Sequence, residues 1–451
     1  MPEPPEFISL LQSKLPARHL AVIICFITCF LTIGCTTQSV SSDANPTSQT
    51  TNTANISYSQ QAKLIANDGA AGDLFGYSVA LSRDGGTALI GAYSKMVGTN
   101  RSQGAAYIFV KNGGNWTQQA ELTALGAATA DQFGFSVALS SDGNTALIGA
   151  WNATSNLGFA YIFIRDGVNW LQQVKLTNND KTADFFSSSV ALAGDGNTVV
   201  IGAPANRNGA PGAAYIFTRS GNNWIQLARL AASDGVSYDQ FGTSVALSDD
   251  GTVVLIGTPR FVLGGGTPHQ GRTYAFIKNG DSWTQEDLAA SDGLVKDFFG
   301  GSGALSANGS IALVGAPQLD VNHKIQGAAY IFTRNSVNWL LQAKLTAHDA
   351  ATNDFFGNSV ALSADGGIAL VGAFLKTIGG NKGQGTAYIF TDSGANWVQQ
   401  AQMTASDSAA ADGLGTSVAL SADGGMALVS APDETIGSNF SQGAVYVFKR
   451  Q

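Results

Sequence analysis

One segment recurs seven times between about residue 57 and the end of this 451-residue chain. Each copy carries a Phe-Gly pair, Ser-Val-Ala-Leu, Gly-Ala and Ala-Tyr-Ile-Phe, in that order. The aromatic of the pair stands at Phe75, Phe133, Phe186, Phe241, Phe299 and Phe356, and Leu414 replaces it in the last copy. Tyrosines keep step at Tyr107, Tyr161, Tyr215, Tyr274, Tyr330, Tyr388 and Tyr446. A unit this small cannot bury its own apolar surface and must stack on its neighbours, so the period limits the architecture more than any single residue does.

The second copy shows the internal grammar. Gln132-Phe133-Gly134-Phe135 leads into Ser136-Val137-Ala138-Leu139, then an Asp142-Gly143 turn and Thr-Ala-Leu-Ile-Gly149-Ala150. A variable loop follows, then Ala160-Tyr161-Ile162-Phe163, a turn at Asp166-Gly167, and Trp170 opening the next run. Four short runs separated by Asp-Gly, Asn-Gly or Ser-Gly read as antiparallel strands joined by hairpins, with Asp-Gly suited to a type I′ turn. The middle runs are apolar at successive positions, which implies burial on both faces. The Trp-led run alternates, as a half-exposed outermost strand does.

Seven four-stranded sheets with buried faces are satisfied by radial closure, so the expected fold is an all-β, seven-bladed β-propeller over 57–451. Trp116, Trp170, Trp224, Trp283, Trp339 and Trp397 fill the outer-strand slot, and the chain stops before a seventh. Tyr58-Ser-Gln-Gln-Ala62-Lys-Leu64 matches Trp116-Thr-Gln-Gln-Ala120-Glu-Leu122 position by position. The last blade is therefore expected to be completed by the N-terminal strand.

Residues 1–34 read as a signal peptide: Lys14 and Arg18 precede a 15-residue apolar stretch, Leu20–Gly34, too short to span a bilayer. The stretch ends at Leu31-Thr32-Ile33-Gly34-Cys35, which resembles a bacterial lipobox and makes Cys35 the expected lipidation site. Cys25 and Cys29 lie inside the apolar stretch, so the exported chain keeps one thiol and no disulfide. Residues 35–56 are then the lipidated cysteine and a Ser/Thr/Asn tether. A net charge of −8 with no basic run argues against a nucleic-acid partner.

The Phe-Gly…Gly-Ala-Pro pattern resembles FG-GAP repeats, the blades of the integrin α-subunit propeller and of many bacterial surface proteins. Gly-Ala-Pro is complete at Gly202-Ala203-Pro204 and Gly315-Ala316-Pro317 and altered elsewhere, as at Gly91-Ala92-Tyr93 and Gly149-Ala150-Trp151. The resemblance implies Ca²⁺ loops of the form Asp-x-Asp-x-Asp-Gly in some blades. Here each matching turn offers one or two carboxylates, as at Ser82-Arg83-Asp84-Gly85, too few to cage an ion that takes six to eight oxygens. A second acidic pattern pairs Asp68 with Asp73, Asp234 with Asp239, Asp292 with Asp297, Asp349 with Asp354 and Asp407 with Asp412. Such pairs could bind a cation but suit acceptance of loop N–H groups better. No cofactor or metal is expected.

His269, His323 and His348 lie in different copies, and no nucleophile elbow, zincin helix or phosphate loop is present. No catalytic residue is assigned. The copies differ most in the loops between second and third strands, which share a face with the crossovers, and variable loops on a rigid scaffold are where binding resides. Tyr93, Trp151, Phe261 and Phe374 supply aromatic surface there, and Arg101, Arg260, Lys324 and Lys376 supply charge. The expected protein is a non-catalytic, lipid-anchored adhesion or binding propeller of the outer membrane or cell surface, engaging a protein or glycan. The alternatives are a polysaccharide-active enzyme using carboxylates of the central channel, or an envelope-assembly scaffold.

Overall fold

The computed structural model describes residues 56–451 except 154–156, 179–184, 205–210, 260–270, 291, 293–296, 319, 322–323, 337 and 395. The calls on residues 1–55, including Cys35, and on Arg260 and Phe261 lie outside the described residues.

Seven four-stranded antiparallel sheets form the blades. In blade 1 the strands run Ser78–Leu81, Thr87–Ala92, Ala105–Asn112 and Asn115–Leu122, from innermost to outermost. Every residue of Thr87–Ala92 is buried, as its unbroken apolar run requires, while Asn115–Leu122 alternates toward solvent. Blade 7 joins the two ends of the chain: Tyr58–Leu64 pairs with Ala444–Arg450, and Tyr58 opposes Arg450 as Trp116 opposes Lys111. Gln60 accepts a hydrogen bond from Ser406 N–H at 3.0 Å, repeating what Gln118 does for Asn67 N–H at 2.9 Å. The N-terminal strand thus reproduces the outer-strand contacts of a continuous blade.

Closure is visible in the main chain. The second residue of each inner turn donates its N–H to its counterpart in the next blade, in the order Arg83, Ser141, Gly194, Asp249, Ala307, Ala364, Ala422 and back to Arg83. These seven bonds are 2.9–3.0 Å long and form one circle around the axis. An open solenoid has no such last bond.

Outer strands carry a β-bulge between the third-strand Ile and Phe, as at Ile108/Phe109 and Ile162/Phe163. Blade 4 has none. Its run from Trp283 to Leu288 is one residue shorter than Trp116 to Leu122, which removes the extra residue a bulge needs.

The Phe of each Phe-Gly pair wedges between blades. Phe75 is fully buried among side chains of blades 7 and 1, with its ring 5.4 Å from Tyr107 and 5.9 Å from Phe109. Glycine is demanded beside it. Gly134 has φ +87°, and a Cβ there would lie 2.3 Å from the Ala105 carbonyl oxygen. Blade 3 carries Ser187 in that slot at φ +72°, and its hydroxyl compensates by donating to Phe159 O at 2.6 Å and accepting from Ala150 N–H.

One expectation needs correction. The inner Asp-Gly turns are not type I′: Gly85 alone takes positive φ, at +69°, and donates to Ser82 O. That is a type I turn followed by a left-handed glycine. The innermost strands (Ser78–Leu81, Phe133–Leu139, Ser189–Leu192, Ser244–Leu247, Ser302–Leu305, Val360–Leu362 and Val418–Leu420) contain no Asp or Glu, and carboxylates near the axis come from the inner turns, Asp249 among them. The free edges of these strands face the axis.

Candidate binding face

Antiparallel alternation sorts the connections onto two ends. The inner turns and the outer hairpins share one end, the turn face. The loops between second and third strands share the other, the loop face, with the blade-to-blade crossovers.

On the turn face the aspartates serve their own turns. Asp84 Oδ1 accepts from Ser82 Oγ at 2.6 Å and from Gly86 N–H at 2.8 Å, and Ser82 Oγ accepts from Thr87 N–H at 2.8 Å. The Ser363 hydroxyl and the Gly367 N–H hold the Asp365 carboxyl below its ordinary range. Asn308 fills the slot in blade 5 with the same bonds, so the slot needs an acceptor oxygen and no charge.

On the loop face the paired aspartates hold cations supplied by the protein. Tyr107 donates to Asp68 Oδ1 at 3.0 Å, and Lys95 Nζ lies 2.8 Å from Asp68 Oδ2 and 3.2 Å from Asp73 Oδ2. Lys95 also donates to the Asp68 carbonyl at 3.1 Å, and Asp73 accepts Ala70 N–H at 2.8 Å. Lys95 and Asp73 are each 7% exposed at the side chain, while Asp68 is 45% exposed. Burial pushes Asp73 up, whereas for Asp68 the bonds from Lys95 and Tyr107 outweigh burial and hold it down. Blade 6 repeats the arrangement with Lys376, Asp349, Asp354 and Tyr388.

Other blades draw the cation from elsewhere. In blade 5 Lys344 on the outer strand meets Asp292, and in blade 4 Arg272 meets Asp234. In blade 7 the loop position holds Glu434, and Lys63 of the N-terminal strand bridges it to Asp407. Blade 2 has Gly126 and Ala153 at the Asp68 and Lys95 positions, and there Lys175 lies 3.3 Å from the centroid of the Phe159 ring. The sequence expectation that these aspartates take loop N–H bonds holds for Asp73, Asp239, Asp354 and Asp412, and Asp131 of blade 2, outside that set, does the same. Among the described residues no group of three His, Cys, Asp or Glu side chains is placed to hold a metal ion.

The predicted ligand-binding residues among those described fall into four situations. Arg101 is exposed at a loop tip, where its carbonyl accepts Ala130 N–H at 2.9 Å. Lys376 and Tyr93 are not open surface: Lys376 is 4% exposed and committed to Asp349 and Asp354, and Tyr93 is 5% exposed beneath Tyr77 and Phe135. Trp151 and Phe374 are half-buried, Trp151 against Phe135 and Phe185, Phe374 against Phe355. Lys324 lies in a two-residue hairpin, paired with Val321.

Three loops share a structure that the sequence reading did not single out. In blades 1, 6 and 7, Val97 pairs with Asn100, Ile378 with Asn381 and Ile436 with Asn439, and each Asn side chain donates to a Gln three residues on. The motif was legible as a recurring Gly-x-Asn-x-x-Gln-Gly at 98–104, 379–385 and 437–443. Its tips are Arg101, Lys382 and Phe440, all exposed.

A closed ring with a uniform turn face and a varied loop face is a β-propeller whose individuality lies at one end. The chain belongs to the FG-GAP repeat family, whose model matches it seven times, at 58–109, 116–163, 170–217, 224–276, 283–332, 339–390 and 397–448. Each match runs from the Trp-slot residue to the Phe of a third strand. Sequence repeats and sheets are therefore offset by one strand, which is why Tyr58–Leu64 opens the first repeat and completes the last blade. No curated protein matches the chain. The fold is consistent with a binding or adhesion role.

Proposed function

We propose that this protein is a non-catalytic binding propeller of the bacterial cell envelope, lipid-anchored through Cys35 and engaging a protein or glycan through its loop face. One observation carries the reading. Apart from the exposed Arg83–Asp249 pair, the inner-turn acceptors repeat from blade to blade and serve their own turns, while Arg101, Trp151, Phe374, Lys382 and Phe440, which break the repeat, collect at the opposite end. A scaffold closed on itself holds such a face rigid without paying for it at binding. The anchor reading rests on the Leu31–Cys35 motif and the Ser/Thr/Asn tether.

The test uses the full-length chain. Replacing Arg101, Lys382 and Phe440 by alanine together should abolish retention of the protein on delipidated envelope fractions, while Asp142→Asn on the turn face leaves it intact. In parallel, Cys35→Ala should lose incorporation of labelled fatty acid and move the protein to the soluble fraction. Equal retention of both face variants would reject the loop face as the binding end.

A further inference from the structure

The outer strands form the rim of the ring. At the position after the Trp slot the rim carries Ser59, Thr117 and Thr284 in blades 7, 1 and 4, so the strand forms without an aliphatic side chain there. In blades 2 and 3 the same position holds Leu171 and Ile225, on the neighbouring strands Asn169–Leu176 and Asn223–Leu230, and both are exposed. These strands are tied to each other: Trp224 Nε1, next to Ile225, donates to Gln173 Oε1, two residues from Leu171, at 3.1 Å. Val168 in the blade 2 hairpin and Leu227 extend the sector, which thus holds four aliphatic side chains between 44% and 69% exposed. A single exposed aliphatic is ordinary, but four on two linked strands mark a contact surface.

A second observation is the charge of this sector. The third and outer strands of blades 2 and 3 (Phe159–Asp166, Asn169–Leu176, Ala213–Ser220 and Asn223–Leu230) hold Arg165, Lys175, Arg219 and Arg229 against one carboxylate, Asp166. Among the described residues Arg165, Lys175 and Arg219 meet no carboxylate. The two arginines donate Nε–H to the Gly167 and Gly221 carbonyls, and Lys175 lies over the Phe159 ring. Blade 5 supplies the contrast. Its Leu340 and Leu341 are exposed too, but Arg334 is paired with Glu286 and Lys344 with Asp292, and blade 4 beside it exposes Asp281 and Asp287. Among the described residues, exposed rim aliphatics and uncompensated cations coincide in blades 2 and 3.

Aliphatic side chains that enter the acyl boundary and cations that meet anionic headgroups are the two components of peripheral membrane binding. A second copy docked through the same sector would instead set cations against cations. We propose that the rim of blades 2 and 3 rests on an anionic lipid surface, with Val168, Leu171, Ile225 and Leu227 at the headgroup boundary and Arg165, Lys175 and Arg219 on lipid phosphates. The assignment rests on the protein lying at a membrane, as proposed above, and it sets the ring on edge with the loop face open to the side. The chain between Cys35 and Ile56 reaches about 70 Å at full extension, so attachment beside blade 7 permits this placement.

The experiment reconstitutes the full-length protein into vesicles of phosphatidylcholine and phosphatidylglycerol, with and without bromine near the headgroup end of the acyl chains, and reads tryptophan emission. Trp170 and Trp224 adjoin Leu171 and Ile225, so brominated lipid should quench the wild type, and Trp170→Phe/Trp224→Phe should lose at least half of that quenching. Leu171→Thr/Ile225→Thr copies blades 1 and 4 and should cut quenching at least threefold with unchanged melting, as should vesicles without phosphatidylglycerol. Quenching absent from the wild type, or indifferent to Leu171→Thr/Ile225→Thr, overturns the placement. So does self-association in solution that the same pair abolishes, which would give the patch to a second copy. Fatty-acid labelling is read on each sample. Labelled protein without quenching overturns the rim contact alone, and unlabelled protein rejects the anchor while quenching still decides the rim.

Discussion

On the turn face, six of the seven inner turns set a serine hydroxyl against an acceptor oxygen two residues on, at 2.6–2.9 Å, and blade 3 keeps the acceptor with Ala193 in the serine slot. On the loop face, the corresponding task of balancing crossover aspartates is met by Lys95 and Lys376 from loops, Lys344 and Lys63 from outer strands, and Arg272 from a third strand. One end repeats a local solution, and the other improvises with partners distant in sequence. Local solutions survive copying of a segment unchanged. Improvised ones let neighbouring blades diverge, and a face that diverges can acquire a ligand.

The comparison is broken most severely at glycines. Gly104 sits at φ +85°, where a Cβ would lie 2.0 Å from the Phe133 carbonyl oxygen. Gly113, in an outer hairpin of the turn face, has φ +62° and nothing within 4 Å. Gly104→Ala should cost about 4 kcal/mol or prevent folding, whereas Gly113→Ala should cost about 1 kcal/mol, the left-handed penalty alone. Thermal unfolding of the two variants measures the difference, and equal losses would mean that the crossover backbone can retreat.

A smaller effect is expected at the improvised ion pairs. Lys95→Ala leaves Asp73 buried without its cation, at a cost of about 3 kcal/mol. Adding Asp68→Gly copies the pair found in blade 2, Gly126 and Ala153, and should restore part of that loss. A double-mutant cycle by denaturant unfolding checks the coupling, and additive losses would deny that Lys95 and Asp68 act as a unit.

These pairings also mark where the sequence stopped being legible. Seven blades, four strands each and the split last blade were all readable, because each rests on residues adjacent in the chain or on the period itself. Lys376 was assignable to the right face and Asp349 and Asp354 to the crossover, yet their union across 27 and 22 residues required coordinates. One partial signal was available: both copies with a loop lysine, at Lys95 and Lys376, keep the first aspartate, while the second copy lacks both, at Gly126 and Ala153. Tyr93 failed differently, since a residue read alone as exposed aromatic is covered by Tyr77 and Phe135, which follow the Phe-Gly pairs of two successive copies. The type I turns were misread because Asp-Gly serves two turn classes, and the strand partner decides between them.

Acid should sharpen the contrast between the faces. Asp142, Asp250, Asp365 and Asp423 on the turn face are held below the ordinary carboxylate range. For Asp365 and Asp423 the serine hydroxyl is the main cause, and for Asp142 and Asp250 such bonds outweigh burial. Folded values below the unfolded one mean stability that is full above about pH 4 and drains as pH falls through the depressed values. On the loop face both directions occur. For Asp68, Asp292, Asp349 and Asp407 the bonds from lysine and tyrosine partners outweigh burial and hold them down, adding to the acid limb. Asp73, Asp354, Asp412 and Glu434 are raised by burial, so protonation favours the fold there and that contribution is lost as pH rises. Changing the four turn-face aspartates to Asn, as blade 5 already has at Asn308, should make the acid limb of a melting-temperature profile shallower, the depressed loop-face aspartates keeping the rest. Asp73→Asn should leave that limb and instead remove a decline on the less acid side. Solvent exposure of the turn aspartates keeps the first effect modest. An unaltered acid limb in the fourfold variant would place acid sensitivity elsewhere.

The smallest effect is expected at the most conspicuous side-chain contact of the turn face. Arg83 of blade 1 reaches Asp249 of blade 4, nearly opposite in the ring, and the pair spans the axis. Its prominence suggests a plug, but the two side chains are 49% and 40% exposed, and a solvated pair contributes less than about 1 kcal/mol. What closes that end is the circle of seven main-chain bonds, in which Arg83 takes part through its N–H and carbonyl and not through its guanidinium. Arg83→Ala should therefore leave the melting temperature almost unchanged at moderate salt and abolish only a weak salt dependence. A loss as large as that of Lys95→Ala would show that the turn face, too, depends on contacts distant in sequence, and the distinction between the two ends would fall.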